Sequence, residues 1–266
     1  MHTTASDGIS RPEDVVAAAL DLGLTAIAIT DHDSVDGVGP ALEAAEGRPV
    51  EVVPGVELSA SFAGRDLHIL GYFVDHADAD LDARLVVLRH QRLDRAQAMV
   101  AALVEAGHTV TFEGVMAHAN GGAVGRSHVA RALVEAGDVD SVEDAFAQLI
   151  GRDAPFFVEK PLLPADEAIR LIHDAGGVAV LAHPSISRAD DVISGLATQG
   201  LDGIEAYHAE HDLQRRARYA EIAERLGLVA TGGSDFHGAR AKGGKLGTAD
   251  PPDACLEQLR LLARPR

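Results

Sequence analysis

The sequence predicts an α/β fold built on parallel strands, and three observations carry that expectation. Short apolar runs alternate with alanine-rich helical stretches toward both ends of the chain. Each apolar run closes on polar residues, and the middle of the chain has helical periodicity with hardly any strand signal. Strands buried on both faces and separated by helices pair in parallel, in a barrel or a doubly wound sheet.

Taken in order, "RPEDVVAAALDLG" has helical spacing, "LTAIAIT" reads as a buried strand, "RPVEVVPGVELSA" as another, and "LHILGYF" as an extended segment. The character then changes. "LDARLVVLRHQRLDRAQAMVAALVEAG" is one long amphipathic helix, followed by helical "GRSHVARALVEAG" and "SVEDAFAQLIG". Alternation returns with "PADEAIRLIHDAGG" and "VAVLAHP", "RADDVISGLATQG" and "LDGIEAYH", and "DLQRRARYAEIAERLG" and "LVATGGSD"; "PPDACLEQLRLLARPR" reads as a final helix. The division expected is a sheet-bearing domain of residues 1–77 and 161–266, with residues 78–160 inserted as a helical subdomain.

With 266 residues, 47% hydrophobic and 24% charged, the chain can bury a large core and carry one appended subdomain. A single cysteine, Cys255, excludes an internal disulfide and leaves any metal to nitrogen and oxygen ligands; it fits a reducing, cytoplasmic setting. No apolar run approaches the roughly 20 residues that span a bilayer, and the first residues lack the basic and apolar blocks of a signal peptide, so membrane and export readings fall away. The formal charge of −18 argues against non-specific binding to nucleic-acid backbone, duplex DNA included.

In parallel α/β folds, chemistry collects where strands deliver side chains at their C-terminal ends. Those ends here deliver Asp31, His32 and Asp33, then Glu57, His68, His183, His208, and finally Asp235 and His237. A solitary histidine after a strand is ordinarily a hydrogen-bonded structural residue. Six strand exits of this kind are different, because burying many carboxylates and imidazoles together is costly unless cations compensate. Imidazole with carboxylate and no sulfur suits Zn, Mn or Fe in sites with open positions. Two or three such ions would lower the pKa of a shared water and clamp phosphoryl oxygens, which predicts phosphate-ester hydrolysis.

With these residues laid out, the chain resembles the PHP (polymerase and histidinol phosphatase) superfamily through "HTTASDG", "ITDHD", "PGVE", "LHILGYF", "LAHP" and "GGSDFHG", in that order. It is most similar to the nucleoside bisphosphate phosphatase and 5'-3' exoribonuclease branch. The resemblance implies a distorted seven-stranded (β/α) barrel with a trinuclear metal centre. It implies that His2, Glu57 and Asp235 hold one ion, that Glu57 bridges to a second held by His68 and His183, and that Asp7, His32 and His237 hold a third. It also implies a first strand ending His-x-His, of which only His2 stands in the sequence; the expectation is that the natural protein starts several residues before Met1 and supplies the other histidine.

Phosphate recognition is expected from Arg126 and His128 at a helix start, where backbone amides add to the attraction for an anion. Related phosphoesterases have Arg-Pro-His there, and Ser127 replaces the proline. His208 is expected to bind a phosphate or to protonate the leaving oxygen, whereas His211 is expected to face solvent. His76, His90, His108, His118 and His173 match no motif. The resemblance implies hydrolysis by metal-activated hydroxide of a nucleoside 3',5'-bisphosphate at its 3' phosphate, or of short RNA from its 5' end. Histidinol-phosphate phosphatase and a non-catalytic metal-binding module are the alternatives.

Overall fold

The computed structural model describes residues 1–160, 162–238 and 244–264. Among these residues, seven strands form one curled sheet: β1 (Ala26–Ile29), β2 (Glu51–Phe62), β3 (Arg65–Tyr72), β4 (Leu163–Pro164), β5 (Val178–Leu181), β6 (Gly203–His208) and β7 (Val229–Gly233). The order is β1-β2-β3-β5-β6-β7, with β4 paired to β2. Helices α1 (Pro12–Asp21), α2 (Val38–Ala45), α7 (Ala165–Asp174), α8 (Ile193–Thr198) and α9 (Leu213–Leu226) accompany it, and α10 (Cys255–Leu262) comes last. The fold is thus mixed α/β, as the alternation predicts.

One expectation needs correction. β1, β2 and β4, and β5 through β7, run parallel within their groups, but β3 is antiparallel to both its neighbours. The reason is local. Ala63 (φ 50°) and Gly64 (φ 75°) both adopt the left-handed region, and a two-residue turn of that kind matches the twist of a hairpin. Phe62 therefore pairs directly with Arg65 across the turn.

The outer face of the sheet packs on the helices through Val15, Ile29, Leu58, Leu67, Ile69, Ile169 and Leu181. The middle of the chain supplies α3 (Ala79–Glu105), α4 (Phe112–Ala119), α5 (Arg126–Glu135) and α6 (Val142–Asp144), which runs on into a π-helix at Ala145–Ile150. Asp78 caps α3 by accepting from the Leu81 amide at 2.9 Å. The 27 residues of α3 serve two cores: Leu81, Leu85 and Leu88 join the sheet-side core, whereas Met99, Val100 and Leu103 pack with Val129, Leu133 and Ile150. Arg92 lies where α3 passes from one core to the other.

Residues 1 and 2 connect the two edges of the sheet. The Met1 amino group donates to the Ala28 carbonyl and the Thr30 hydroxyl, at 3.2 and 2.7 Å, while the His2 amide donates to the Phe236 carbonyl at 2.8 Å. His2 is thereby held at the C-terminal ends of β1 and β7.

Candidate metal centre

Asp31, just past β1, organises the first loop. Its buried carboxylate accepts from the Thr3 amide and Thr3 hydroxyl, each at 2.7 Å, and from the Ser6 hydroxyl at 2.5 Å. The loop then returns on itself so closely that a Cβ at Gly8 would meet the His2 carbonyl oxygen at 2.4 Å, which only glycine avoids. His2 and Asp7 face the same point as a result. Ser127 donates to Asp7 Oδ2 at 2.7 Å and Arg131 to the Asp7 carbonyl at 2.6 Å.

Glu57 on β2 is the hub. One oxygen lies 3.0 Å from His2 Nε2; the other touches His68 Nδ1 and lies 3.4 Å from His183 Nε2 and 3.9 Å from His32 Nδ1. Asp235 Oδ1 is 3.1 Å from His2 Nε2, and Asp7 Oδ1 is 3.3 Å from His237 Nε2. Among the described residues, three groups offer ligand atoms within 4.8 Å of one another: His2, Glu57 and Asp235; His32, Glu57 and His68; and His2, Asp7, His32 and His237. All eight side chains expected as ligands, His2, Asp7, His32, Glu57, His68, His183, Asp235 and His237, are therefore brought together. The grouping differs in detail from the expected one, since His32 lies nearest Glu57 and His68 as well as Asp7, and His183 approaches Glu57 alone.

These residues fit divalent ions on physical grounds. Both ring nitrogens of His2, Nδ1 of His32, His68 and His183, and Oδ1 of Asp7 are buried without hydrogen-bond partners among the described residues, although buried polar atoms are ordinarily satisfied. All but His183 Nδ1 belong to side chains whose ligand atoms crowd within 4.8 Å of one another. Burial disfavours charge on His2, yet the Asp235 and Glu57 carboxylates override it and push its pKa up to about 10; at His183 burial again disfavours the charge and Glu57 overrides it, to about 9. The carboxylates require positive charge, which divalent ions would supply while taking imidazole lone pairs. Asp33 (φ 49°), His183 (φ 27°) and Asp235 (φ 49°) hold left-handed backbone here, at a cost of about 1–3 kcal/mol each.

A second feature adjoins the first. A cavity of about 130 Å³ is walled by Asp7, His32 and His68 on one side and by Arg92, Arg95, Arg126, Ser127, Phe146 and Lys160 on the other. Arg92 donates to Asp33 Oδ2 at 2.5 Å and to Ser59 Oγ at 3.0 Å, and Lys160 donates to the same hydroxyl at 2.7 Å. Arg126 lies over the rings of Phe146 and Phe157, at 5.5 and 5.4 Å. Burial and the neighbouring Arg92 depress the Lys160 pKa to about 8, and burial with Arg126 depresses Arg95 to about 10. Of these cations, Arg126 stands in a sequence motif, whereas Arg92, Arg95 and Lys160 do not.

Two further expected residues stand differently. His128 is buried and its Nδ1 accepts from the Gly125 amide at 2.9 Å, so it caps α5 and does not line the cavity. His208 lies beside His183, ring centroids 5.8 Å apart. Its Nδ1 accepts from the Glu210 amide at 3.1 Å, which leaves Nε2 as the protonated nitrogen, buried and unpartnered. Burial and His183 hold its pKa down at about 4, so it offers a neutral N–H rather than an imidazolium. The solvent-facing expectation for His211 is wrong: it is 3% exposed, bonded through Nδ1 to the Ala206 carbonyl at 2.9 Å and packed on Tyr219. That burial was hidden in the sequence, because "HAEH" reads as polar.

A curled α/β sheet with imidazoles and carboxylates gathered at its strand ends, beside a cationic cavity, defines a metal-dependent hydrolase site for anionic esters. Residues 1–159 match the PHP domain family. A 3',5'-nucleoside bisphosphate phosphatase of Chromobacterium violaceum is 34% identical over 261 residues, covering 96% of this chain and 92% of that protein. The 5'-3' exoribonuclease Rnm of Escherichia coli is 34% identical over 243 residues, covering 89% and 83%. A Bifidobacterium adolescentis structure described as a metal-dependent phosphoesterase superposes with a TM-score of 0.91 at 31% identity, covering 98% and 94%. The chain belongs to the PHP family and is a metal-dependent phosphoric-ester hydrolase.

Proposed function

We propose that the protein hydrolyses nucleotide phosphate esters, removing the 3' phosphate of a nucleoside 3',5'-bisphosphate or cleaving short RNA from its 5' end. The observation that carries this reading is the shared wall: Asp7, His32 and His68 belong both to the ligand cluster and to a cavity holding Arg92, Arg95, Arg126 and Lys160. A substrate with two phosphate groups matches that pairing, one group at the cluster and the other in the cationic cavity. A monoester of a small alcohol uses only the first. The likeness to relatives named for bisphosphate and RNA substrates supports the same choice.

His2, Glu57 and Asp235, with Asp7, His32, His68, His183 and His237, would hold two or three ions of Mn, Zn or Fe, the metals suited to oxygen and nitrogen donors. Such ions supply activated water and neutralise charge on the phosphoryl oxygens. The chain's own part is placement. Arg126, with its guanidinium face set on two phenylalanines, presents N–H donors to the distal phosphate. The neutral Nε2–H of His208 donates to an oxygen of the reacting phosphate. The helices of residues 79–150 wall the cavity and select for length of substrate. The lone Cys255 fits a cytoplasmic setting for such a substrate; no helix among the described residues is long and apolar enough to cross a membrane.

The test is a panel with added Mn(II): 3'-phosphoadenosine 5'-phosphate, a 5'-phosphorylated RNA trimer and histidinol phosphate. The nucleotide or RNA is expected to give the higher kcat/KM. Preference for histidinol phosphate overturns the substrate assignment, and no turnover of any of them points to a non-catalytic module.

A further inference from the structure

A buried carboxylate that the mechanism above does not use stands behind His183. β5 ends at Leu181, where its ladder to β6 also ends: Val180 pairs with Gly203 and Leu181 with Ile204. The next strand is irregular, with a register shift between Glu205 and Tyr207. Ala206 and Tyr207 pack into the core between sheet and helices. Glu205 instead faces the interior with Glu57 and His183, and His208, three residues on, is again beside His183. A one-residue bulge is what sets both on one face, since regular alternation would separate them.

The consequence falls on His183. Its amide, past the end of the ladder, donates to Glu205 Oε2 at 2.8 Å in a buried setting. The preceding amide, of Ala182, donates to the His68 carbonyl at 3.0 Å on the other side. Between these two bonds the chain turns into the left-handed region at His183 (φ 27°), which sends its ring toward Glu57. A non-glycine residue keeps such a backbone only where its surroundings over-determine it. Gly233, on β7, completes the arrangement, because a Cβ there would lie 1.9 Å from Glu205 Oε1.

We infer that Glu205 is a positioning residue of the metal centre, holding His183 through its backbone amide in the one conformation that aims the imidazole at Glu57. This rests on the metal-centre reading above. Outer partners that orient ligands are worth roughly 10–100-fold in metal affinity, and the effect should track a hydrogen-bond acceptor at position 205 rather than its charge.

The experiment is calorimetric titration of the metal-free full chain with Mn(II), on wild type, Glu205→Gln, Glu205→Ala, Gly233→Ala and His183→Ala, with thermal melts alongside. Glu205→Ala is expected to weaken one class of Mn(II) site roughly tenfold or more, the same class that His183→Ala weakens. Glu205→Gln keeps an acceptor and is expected to retain near wild-type affinity. Gly233→Ala keeps the carboxylate but displaces it, and is expected to copy Glu205→Ala; it carries the test if Glu205→Ala does not fold. Wild-type affinity in Glu205→Ala or in Gly233→Ala, or equal loss in Glu205→Gln and Glu205→Ala, overturns the inference while leaving the metal centre standing. Unchanged binding in His183→Ala removes the metal-centre reading, and this inference with it.

Discussion

The ligand cluster and the cationic cavity share a wall, yet they solve opposite electrostatic problems. In the cluster, Asp7, Glu57 and Asp235 crowd five imidazoles with unpartnered buried nitrogens among them, so the deficit is of positive charge. In the cavity, Arg92, Arg95, Arg126 and Lys160 outnumber the acids they face, Asp33 being bonded to Arg92 and Asp66 lying 3.9 Å from Lys160, so the surplus is positive. Neither is satisfied among the described residues. The first calls for cations and the second for an anion, and a phosphate ester placed across the shared wall answers both. They differ in origin too, for the sheet and the N-terminal loop build the cluster whereas α3, α5 and the segment after the π-helix supply the cavity's cations.

The widest separation of the two roles comes from Glu57→Ala. It removes the carboxylate that approaches four histidines, and kcat/KM with Mn(II) is expected to fall by about a thousandfold or more, equivalent to roughly 4 kcal/mol. Metal analysis should show ions lost in parallel. Activity within tenfold of wild type would break the comparison at its centre. Next comes Arg126→Ala, where losing a charge-assisted hydrogen bond worth about 1.5–3 kcal/mol should raise KM for a bisphosphate roughly 10–100-fold. Turnover of p-nitrophenyl phosphate, which has no second phosphate, should barely move. An equal loss on both substrates would place Arg126 at the reacting phosphate instead.

That contrast also explains what was legible in the sequence. His32, Glu57, His183, Asp235 and His237 each close an apolar run or follow it within a few residues, so the pattern that marks a strand also marks its functional end; His68 stands inside β3, and His2 and Asp7, in the loop of residues 1–8, are legible only through the family resemblance. The cavity has no such signature. Arg92 and Arg95 fall three apart on an amphipathic helix and read as its solvated face; only the passage of α3 from one core to the other buries Arg92. Lys160 follows "DAPFFVE", which has no period at all, and its burial depends on where β4 joins β2. The antiparallel run of β3 is hidden in the sequence because Ala63-Gly64 is a weak turn signal beside Asn-Gly. His128 shares a motif with Arg126, but helical spacing cannot tell a side chain that faces a cavity from one that turns back to cap its own helix.

A third effect should appear as pH dependence. Lys160 has its pKa lowered to about 8 by burial and Arg92, from an ordinary 10.5. The free cavity therefore loses this charge as pH rises through 8, whereas a bound phosphate favours the ammonium and keeps the proton. Affinity for the bisphosphate should be full below pH 8 and fall by up to about tenfold per unit above it. The same shift makes the unfolded chain the stronger proton binder between about 8 and 10.5, so this residue's contribution to stability grows as pH rises through that window. Lys160→Met should flatten the alkaline rise in KM; a rise that persists in the variant assigns it to another group.

The smallest effect concerns Ser127, which touches both regions: it lines the cavity and donates to Asp7 Oδ2, leaving Oδ1 free toward His237. Ser127→Ala removes one part-buried hydrogen bond, worth about 0.5–1.5 kcal/mol, and should weaken Mn(II) binding a few-fold while lowering stability by a similar amount. Ser127→Pro removes the same bond, but position 127 lies in the first turn of α5, where a missing amide proton is tolerated, and the stiffer unfolded chain returns about 0.4–1 kcal/mol. The two variants should therefore match in metal affinity and differ in melting temperature, with the proline protein the more stable. If the proline variant binds Mn(II) as wild type does, the serine serves the helix start alone, and Asp7 is held in place by Asp31's grip on the loop before it.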